Sequence, residues 1–255
     1  MTVRKVSDGA VLHLTLDRPD KLNALNGDVL RELTQAVTEL EDDLDVRVIV
    51  LRGAGRAFSA GADLTGGGVS SGNASSWAAR RHTGGGWQRL LDRLEALPQI
   101  TVAGLHGHCI GGGALLAVAC DLRIADRTLQ VRIPELAIGI PLTWGGNPRL
   151  VREIGLPLAR DLVMTGRVME ADEALRAGFV QRVVSSLDEG VDACVGELLA
   201  MPDAPLRMTK AMTSAIGRAQ MGATAWADGD LISWSLSEQE SRDAATEYAR
   251  RRRKN

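Results

Sequence analysis

Along the chain, apolar and polar positions alternate in two regimes, and the change between them falls near residue 145. At 11–16, "VLHLTL" places leucine and valine in the alternation of a strand, which the turn signal Arg18-Pro19-Asp20 ends. From Asn26 or Asp28 onward, Val29, Leu30, Leu33, Val37 and Leu40 recur at helical spacing behind an N-cap residue, which predicts a helix. The apolar run "VRVIVLRG" at 46–53, bounded by glycine, reads as a buried strand. Strand, helix and strand in succession give the rhythm of a βαβ unit. Residues 65–86 break that rhythm, with glycine and serine clustered around a short possible helix at 75–82, and predict a mobile loop. After it come an expected helix near 87–97, a strand near 100–105, a glycine-led helix from 111, and strands in "DLRIAD" and "LQVRI".

From Pro148 onward apolar positions recur mostly at helical spacing, over 148–154, 158–164, 171–177, 188–200, 204–218 and about 222–250. The pattern alone therefore gives an α/β core over residues 1–145 and a helical extension, without repeats. That extension has no obvious core of its own. Amphipathic helices of this kind pack on their own core or on a neighbouring subunit, so oligomerisation is expected. Five consecutive basic residues, Arg250 to Lys254, close the last helix. They suit a solvated terminus that complements the helix dipole, or a phosphate-facing cluster.

Composition narrows the picture. The 255 residues are 45% hydrophobic and 24% charged, an ordinary globular balance, and the formal net charge of -2 gives no global attraction to nucleic acid or a membrane. Cys109, Cys120 and Cys194 show no CxxC spacing and sit in apolar surroundings, which fits a reducing compartment. The N-terminus lacks the apolar stretch of a signal peptide and no run approaches eighteen apolar residues. A soluble, cytoplasmic protein is expected.

Two glycine-rich turns carry the candidate chemistry. One is "GAGRAFSAGADL" at 53–64, which leaves the strand ending near 52; the other is Gly111-Gly112-Gly113, where a strand passes into a helix. Each offers backbone N–H groups without side-chain obstruction. If the two turns meet, their donors can converge on one oxygen as an oxyanion hole; alternatively the glycines only let a helix pack close to a strand.

The segments "NALN" (23–26), "VIVLRGAGRAFSAGADL" (48–64), "VAGLHGHCIGGGALLAVACDLRIA" (102–125), "IPELAIGIPLTWGGNPRL" (133–150), "TGRVMEADEALRAGFVQRVV" (165–184) and "MTKAM" (208–212) resemble the enoyl-CoA hydratase/isomerase (crotonase) family. They follow the family's order and cover nearly the whole chain, with 65–86 outside. The resemblance implies an α/β spiral of ββα units over 1–195 and a C-terminal helical trimerisation region over 196–255, assembled as trimers or as hexamers of two trimers. It assigns the backbone N–H groups of Ala62 and Gly112 to the thioester oxygen of an acyl-CoA. It places coenzyme A, as part of the substrate and with no separate cofactor or metal, along Lys21, Leu22 and Ala24 and along Ala60, Asp63 and Leu64. Arg18 and Lys210 are phosphate partners by charge.

The family's hydratases divide the handling of protons between two glutamates. Where the first would stand, two residues after the triple glycine, this chain has Leu115; the second is present in Pro134-Glu135. One carboxylate can still take a proton from one carbon and return it to another, the 1,3-shift of a Δ3,Δ2-enoyl-CoA isomerase. Desolvation beside Leu115 and Ile110 would raise the Glu135 pKa toward the working pH, as suits a general base. Thr143 stands about where the family's dienoyl-CoA isomerases carry an acid, which argues against that activity.

Other polar and aromatic residues lie near these motifs. His106 and His108, two apart on an extended segment, would share a face, but no further His or Cys completes a metal set. His82 lies in the variable loop, Asp63 is expected to cap a following helix, and Asp121 to anchor backbone at a strand start. Trp77 and Trp144 are candidates for lining the acyl site. "GAGRAF" lacks the spacing of a dinucleotide fingerprint. Two alternatives stay open: a decarboxylase or hydrolase using the same oxyanion hole, and an acyl-CoA binding protein that has lost catalysis.

Overall fold

The computed structural model describes residues 1–64, 76–219 and 228–252. In chain order the described elements are β1 (Val3–Asp8), β2 (Val11–Leu16), α1 (Gly27–Glu41), β3 (Val48–Gly53), β4 (Ala57–Ser59), α2 (Trp77–Gly84), α3 (Gly86–Ala96) and β5 (Ile100–Leu105). They continue with β6 (His108–Ile110), α4 (Gly112–Val118), β7 (Leu122–Asp126), β8 (Gln130–Arg132), α5 (Gly146–Thr165), β9 (Val168–Glu170), α6 (Ala171–Arg176) and β10 (Arg182–Val184). Helices α7 (Leu187–Ala200), α8 (Asp203–Ala219), α9 (Asp228–Ser235) and α10 (Gln239–Arg252) complete them.

The strands form two sheets. One runs β1-β2-β3-β5-β7-β10, parallel apart from the antiparallel β1–β2 pair; the other runs β4-β6-β8-β9, parallel from β4 to β8. Each of β3, β5 and β7 is followed at once by a short strand of the second sheet, β4, β6 and β8. This repeated step from one sheet to the other is the ββα spiral.

Both faces of the larger sheet are covered, which explains why its strands read as apolar runs. Leu12, Leu14, Leu16, Ile49, Leu51, Ala103 and Leu105 join one core with α1 and α3, while Val48, Val50 and Val102 face a second core with Val191, Cys194 and Val195 of α7. Strand side chains alternate between faces, so consecutive apolar residues serve different cores.

The strands and helices expected over 11–16, 26–45, 46–53 and 87–126 stand within a few residues of their predicted places. Three differences have physical causes. β1 shows the strand alternation weakly, because only Val3 of its six residues is buried. β4, β6, β9 and β10 are three residues each, too short for a period to show. The two helices expected over 148–154 and 158–164 are present as the two arms of α5, parted at Gly155, whose φ of 75° and ψ of 158° are not helical. The single helix expected at 222–250 is broken: α9 ends at Ser235 and α10 begins at Gln239.

Half of the loop expected at 65–86 falls on residues 65–75, outside the described ones; the other half is mostly helical, with α2 in the place of the short helix. Arg250 of the basic run pairs with Glu247 at 2.9 Å; the side chains of 251–254 lie outside the described residues. Among the described residues no helix is long and apolar enough to cross a membrane.

Candidate active site

β4, β6 and β8 are adjacent and parallel, so the segments that leave their C-terminal ends emerge side by side. Those segments are Ala60–Asp63, Gly111–Gly112 and Pro134–Glu135. Crevices at the C-terminal ends of parallel strands are where such sheets place ligands. Here one cavity of about 1020 Å³ is lined by Ala60, Gly61, Ala62, Ile110, Gly111, Pro134 and Glu135 together.

The 60–63 turn is fastened to the turn before α1. Ala60 N donates to Leu22 O at 2.8 Å, Leu25 N to Gly61 O at 2.8 Å, and Asp63 N to Leu25 O at 2.9 Å. The "NALN" segment makes this possible. Asn23, 1% exposed, accepts from Arg18 N at 2.9 Å and donates to Ala57 O at 2.7 Å, and Asn26 caps α1 by accepting from Val29 N at 3.0 Å. In this pairing the Ala62 N–H is left over, and the Gly112 N–H, first in α4, has no intrahelical acceptor. Among the described residues neither N–H reaches an acceptor. The turns touch: a β-carbon on Gly61 would lie 3.4 Å from the Gly112 nitrogen.

The triple glycine is a packing requirement as well as an opening. Gly111 has φ +50° and ψ -119°, a conformation that favours glycine, and a β-carbon on it would lie 2.5 Å from Glu135 Oε1. One on Gly112 would overlap the Trp144 ring, with Cη2 2.7 Å away. The bare backbone thus admits a carboxyl on one side and an indole on the other.

Glu135 begins a short 3-10 helix, Glu135–Ile138, directly after Ile133-Pro134. The residue is half-buried, but its Oε2 is shut off from solvent and has no hydrogen-bond partner among the described residues. Burial pushes the carboxyl up to about 7, against the smaller opposing effect of its own backbone N–H. Leu115 is 1% exposed and packs in the core between α4 and the Leu142–Gly146 segment. No carboxylate stands at that position.

The remaining expected site residues divide. Leu22, Ala60, Ala62, Leu64 and Glu135 line the cavity, with Gly111 in place of Gly112; Lys21, Ala24, Asp63 and Lys210 do not. Lys210 is buried beneath the sheet, its Nζ 2.7 Å from Asp121 and 2.6 Å from Gln99 O. Asp121 does anchor backbone, accepting from Thr101 N at 2.7 Å. Arg18 holds Asp63 at 2.9 Å and the Ala24 carbonyl, stapling the two turns together. The helix that Asp63 was expected to cap would fall on 65–75, outside the described residues.

Gly107, at φ +52°, interrupts the extended segment that was to put His106 and His108 on one face. His106 Nε2 meets Gly55 O at 2.9 Å, while His108 lines the cavity. His82 is exposed on α2. The Trp77 side chain lies outside the described residues, and Trp144 stacks on Trp87 with ring centroids 4.8 Å apart.

Sequence reasoning missed a second wall. Gln130, Arg132 and Val168 from the small sheet, and Ala244, Glu247 and Tyr248 from α10, complete the cavity. α10 packs across the Glu135–Ile138 helix, and Ser235 Oγ donates to Gly139 O at 2.8 Å. Gln130 and Arg132 could have been found from the alternation of "LQVRI" leading into Glu135. Nothing local marks Tyr248, which reaches the site only through tertiary folding.

A family model described as enoyl-CoA hydratase/isomerase matches residues 7–255. The short-chain-enoyl-CoA hydratase of Clostridium acetobutylicum is 30% identical over 249 residues, covering 96% of this chain and 94% of that one. The probable enoyl-CoA hydratase echA8 of Mycobacterium tuberculosis is 40% identical over 187 residues, covering 73% and 70%. The crystal structure of an enoyl-CoA hydratase/isomerase from Mycobacterium paratuberculosis superposes with a TM-score of 0.88 at 26% identity, covering 96% of this chain and 98% of that one.

Proposed function

The chain belongs to the enoyl-CoA hydratase/isomerase family, and from that premise we propose that it shifts a proton between two carbons of an enoyl-CoA thioester, with Glu135 as the single acid and base. The Glu135 carboxylate takes a proton from C2 of a 3-enoyl-CoA. The electrons pass into a dienolate, whose oxygen is held by the N–H groups of Ala62 and Gly112. The same carboxyl returns the proton to C4, leaving the double bond between C2 and C3. Donors aimed at the oxygen act most strongly as its charge develops, and losing one such donor typically costs about two to three orders of magnitude in rate.

The observation that carries this reading is the Glu135 carboxyl itself: its Oε2 shut off from solvent and without a partner among the described residues, and its pKa pushed up by burial to about 7. A group that must both accept and release a proton works best with its pKa near the working pH. With Leu115 buried in the core where the hydratases' first glutamate would stand, the reaction needing one carboxylate is favoured over the one needing two. Coenzyme A runs along the stapled turns 21–25 and 60–64, held mostly by backbone.

Hydration is the second reading, favoured by the names of the Clostridium and Mycobacterium tuberculosis relatives, both enoyl-CoA hydratases. It requires another proton carrier for water, a role for which His108, Glu247 and Tyr248 are the groups on the cavity wall. Self-association as a homotrimer or hexamer is supported by α8, which exposes Met208, Met212 and Ile216 one turn apart.

The test supplies a trans-3-enoyl-CoA and, separately, a trans-2-enoyl-CoA, following the conjugated thioester by absorbance and the products by chromatography. Isomerisation of the first, abolished in Glu135→Gln, with little hydration of the second is the expected result. Rapid hydration of the 2-enoyl substrate would overturn the single-carboxylate reading.

A further inference from the structure

Trp144 is one of three non-glycine residues with positive φ among those described, at 60°. Such a backbone is costly for a bulky side chain and persists only where its surroundings impose it. The imposing group is Arg149 of α5, fully buried, whose Nη1 donates to Trp144 O at 2.8 Å and to Gly145 O at 3.3 Å. Arg149 is fixed in turn from α3: Nη2 lies 2.6 Å from Asp92 and 3.1 Å from Glu95, and Nε is 3.1 Å from the other Glu95 oxygen. The indole so directed stacks on Trp87 with planes 15° apart, and its edge rests against the bare α-carbon of Gly112.

We propose that Trp144 and Arg149 are positioning residues for the Gly112 N–H. The peptide that carries the Gly112 N–H is held at its carbonyl end, where Gly111 O accepts from Leu115 N at 3.1 Å, but neither Gly111 nor Gly112 has a side chain to fix its rotation about that bond. The indole supplies that restraint from the side away from Glu135, and Arg149 locks the indole. This explains why a left-handed tryptophan is kept where a glycine would be unstrained: the strain is repaid by a fixed donor direction. The inference rests on the proposed role of Gly112 in holding the thioester oxygen.

The readout is the infrared stretch of the thioester carbonyl in bound butanoyl-CoA, a saturated ligand that cannot react, recorded as a difference against the carbonyl-13C ligand. In the unaltered protein the band shifts to lower frequency on binding. In Trp144→Gly, which removes the ring and is at ease at this φ, the shift falls most of the way back toward the free ligand. kcat on the enoyl substrate drops about a hundredfold, as a misplaced group can cost, while KM changes less than about threefold. Trp144→Phe, with a smaller ring on the same backbone, retains part of both and serves if the glycine variant does not fold. Loss of the paired-indole signal in near-ultraviolet circular dichroism confirms that the stack was removed in either variant.

Both variants keeping the full shift, with kcat within twofold, would overturn the positioning role and leave the oxyanion reading standing. No shift in the unaltered protein, with butanoyl-CoA bound, would overturn the oxyanion reading and this inference together.

Discussion

Replacing Glu135 by glutamine should stabilise the protein, and only above about pH 5. In the unfolded chain the carboxyl ionises near its ordinary 4.5, whereas in the folded protein burial holds the proton on until about 7. Between those values the native state binds more protons than the unfolded state, so native stability falls as pH rises. Below 4.5 both states are protonated and there is no penalty; above about 7 the penalty is complete. A displacement of this size corresponds to about 3 kcal/mol at most. Glutamine is uncharged at every pH and escapes it. Urea denaturation of both proteins at pH 4, 6 and 8 reads the difference, in which all other titrating groups cancel. Near-equal stability at pH 4 and an advantage for Glu135→Gln approaching about 3 kcal/mol at pH 8 are expected, a midpoint shift of roughly 1 M urea. A difference that does not change with pH, or an unaltered protein that is the more stable at pH 8, would refute the claim that this carboxyl is buried without a compensating partner.

Other consequences are read more simply. Because the base must be ionised, kcat/KM should climb about tenfold per pH unit below about 7 and level off above it; a flat profile from pH 5 to 8 would contradict this. Gly111→Ala should cost at least about a hundredfold in activity with the circular dichroism unchanged, since its β-carbon would lie 2.5 Å from Glu135 Oε1. Gly196→Ala, within α7 and with no atom within 4 Å of the new methyl, should instead raise stability by about 0.5–1 kcal/mol in denaturant titration. Arg123→Met should cost at least about 2 kcal/mol by the same assay, because Arg123 is 1% exposed and its loss leaves Phe179 O and Cys120 O without that donor and Glu153 with Arg152 alone.

What was legible in the sequence tracks how local its cause is. α1 announces itself by apolar spacing and the Asn26 cap, and β3 by an apolar run that two cores require on its two faces. Glu135 and the two glycine turns were legible through resemblance, since spacing alone left the triple glycine open between donor and packing roles. The structure gives those glycines neighbours that no local pattern could name: a carboxyl from after β8 against Gly111 and an indole from before α5 against Gly112. Lys210 looked like a phosphate partner by charge, yet its stem runs into the core to meet Asp121, a destination that composition does not encode. The cavity wall supplied by α10 depends on a break near residue 236 that the continuous apolar spacing of 222–250 concealed.

The central claim, that one carboxyl carries the proton from one carbon to the other, is tested most directly by label transfer. A 3-enoyl-CoA deuterated at C2 is converted in ordinary water under single-turnover conditions, and the product is analysed by mass spectrometry and NMR. A single Glu135 carboxyl shielded from solvent predicts deuterium at C4 of the 2-enoyl product, in a fraction that falls as turnover is slowed. Product carrying no deuterium at C4, or product bearing a hydroxyl at C3, would contradict the account and point to a second proton carrier in the cavity.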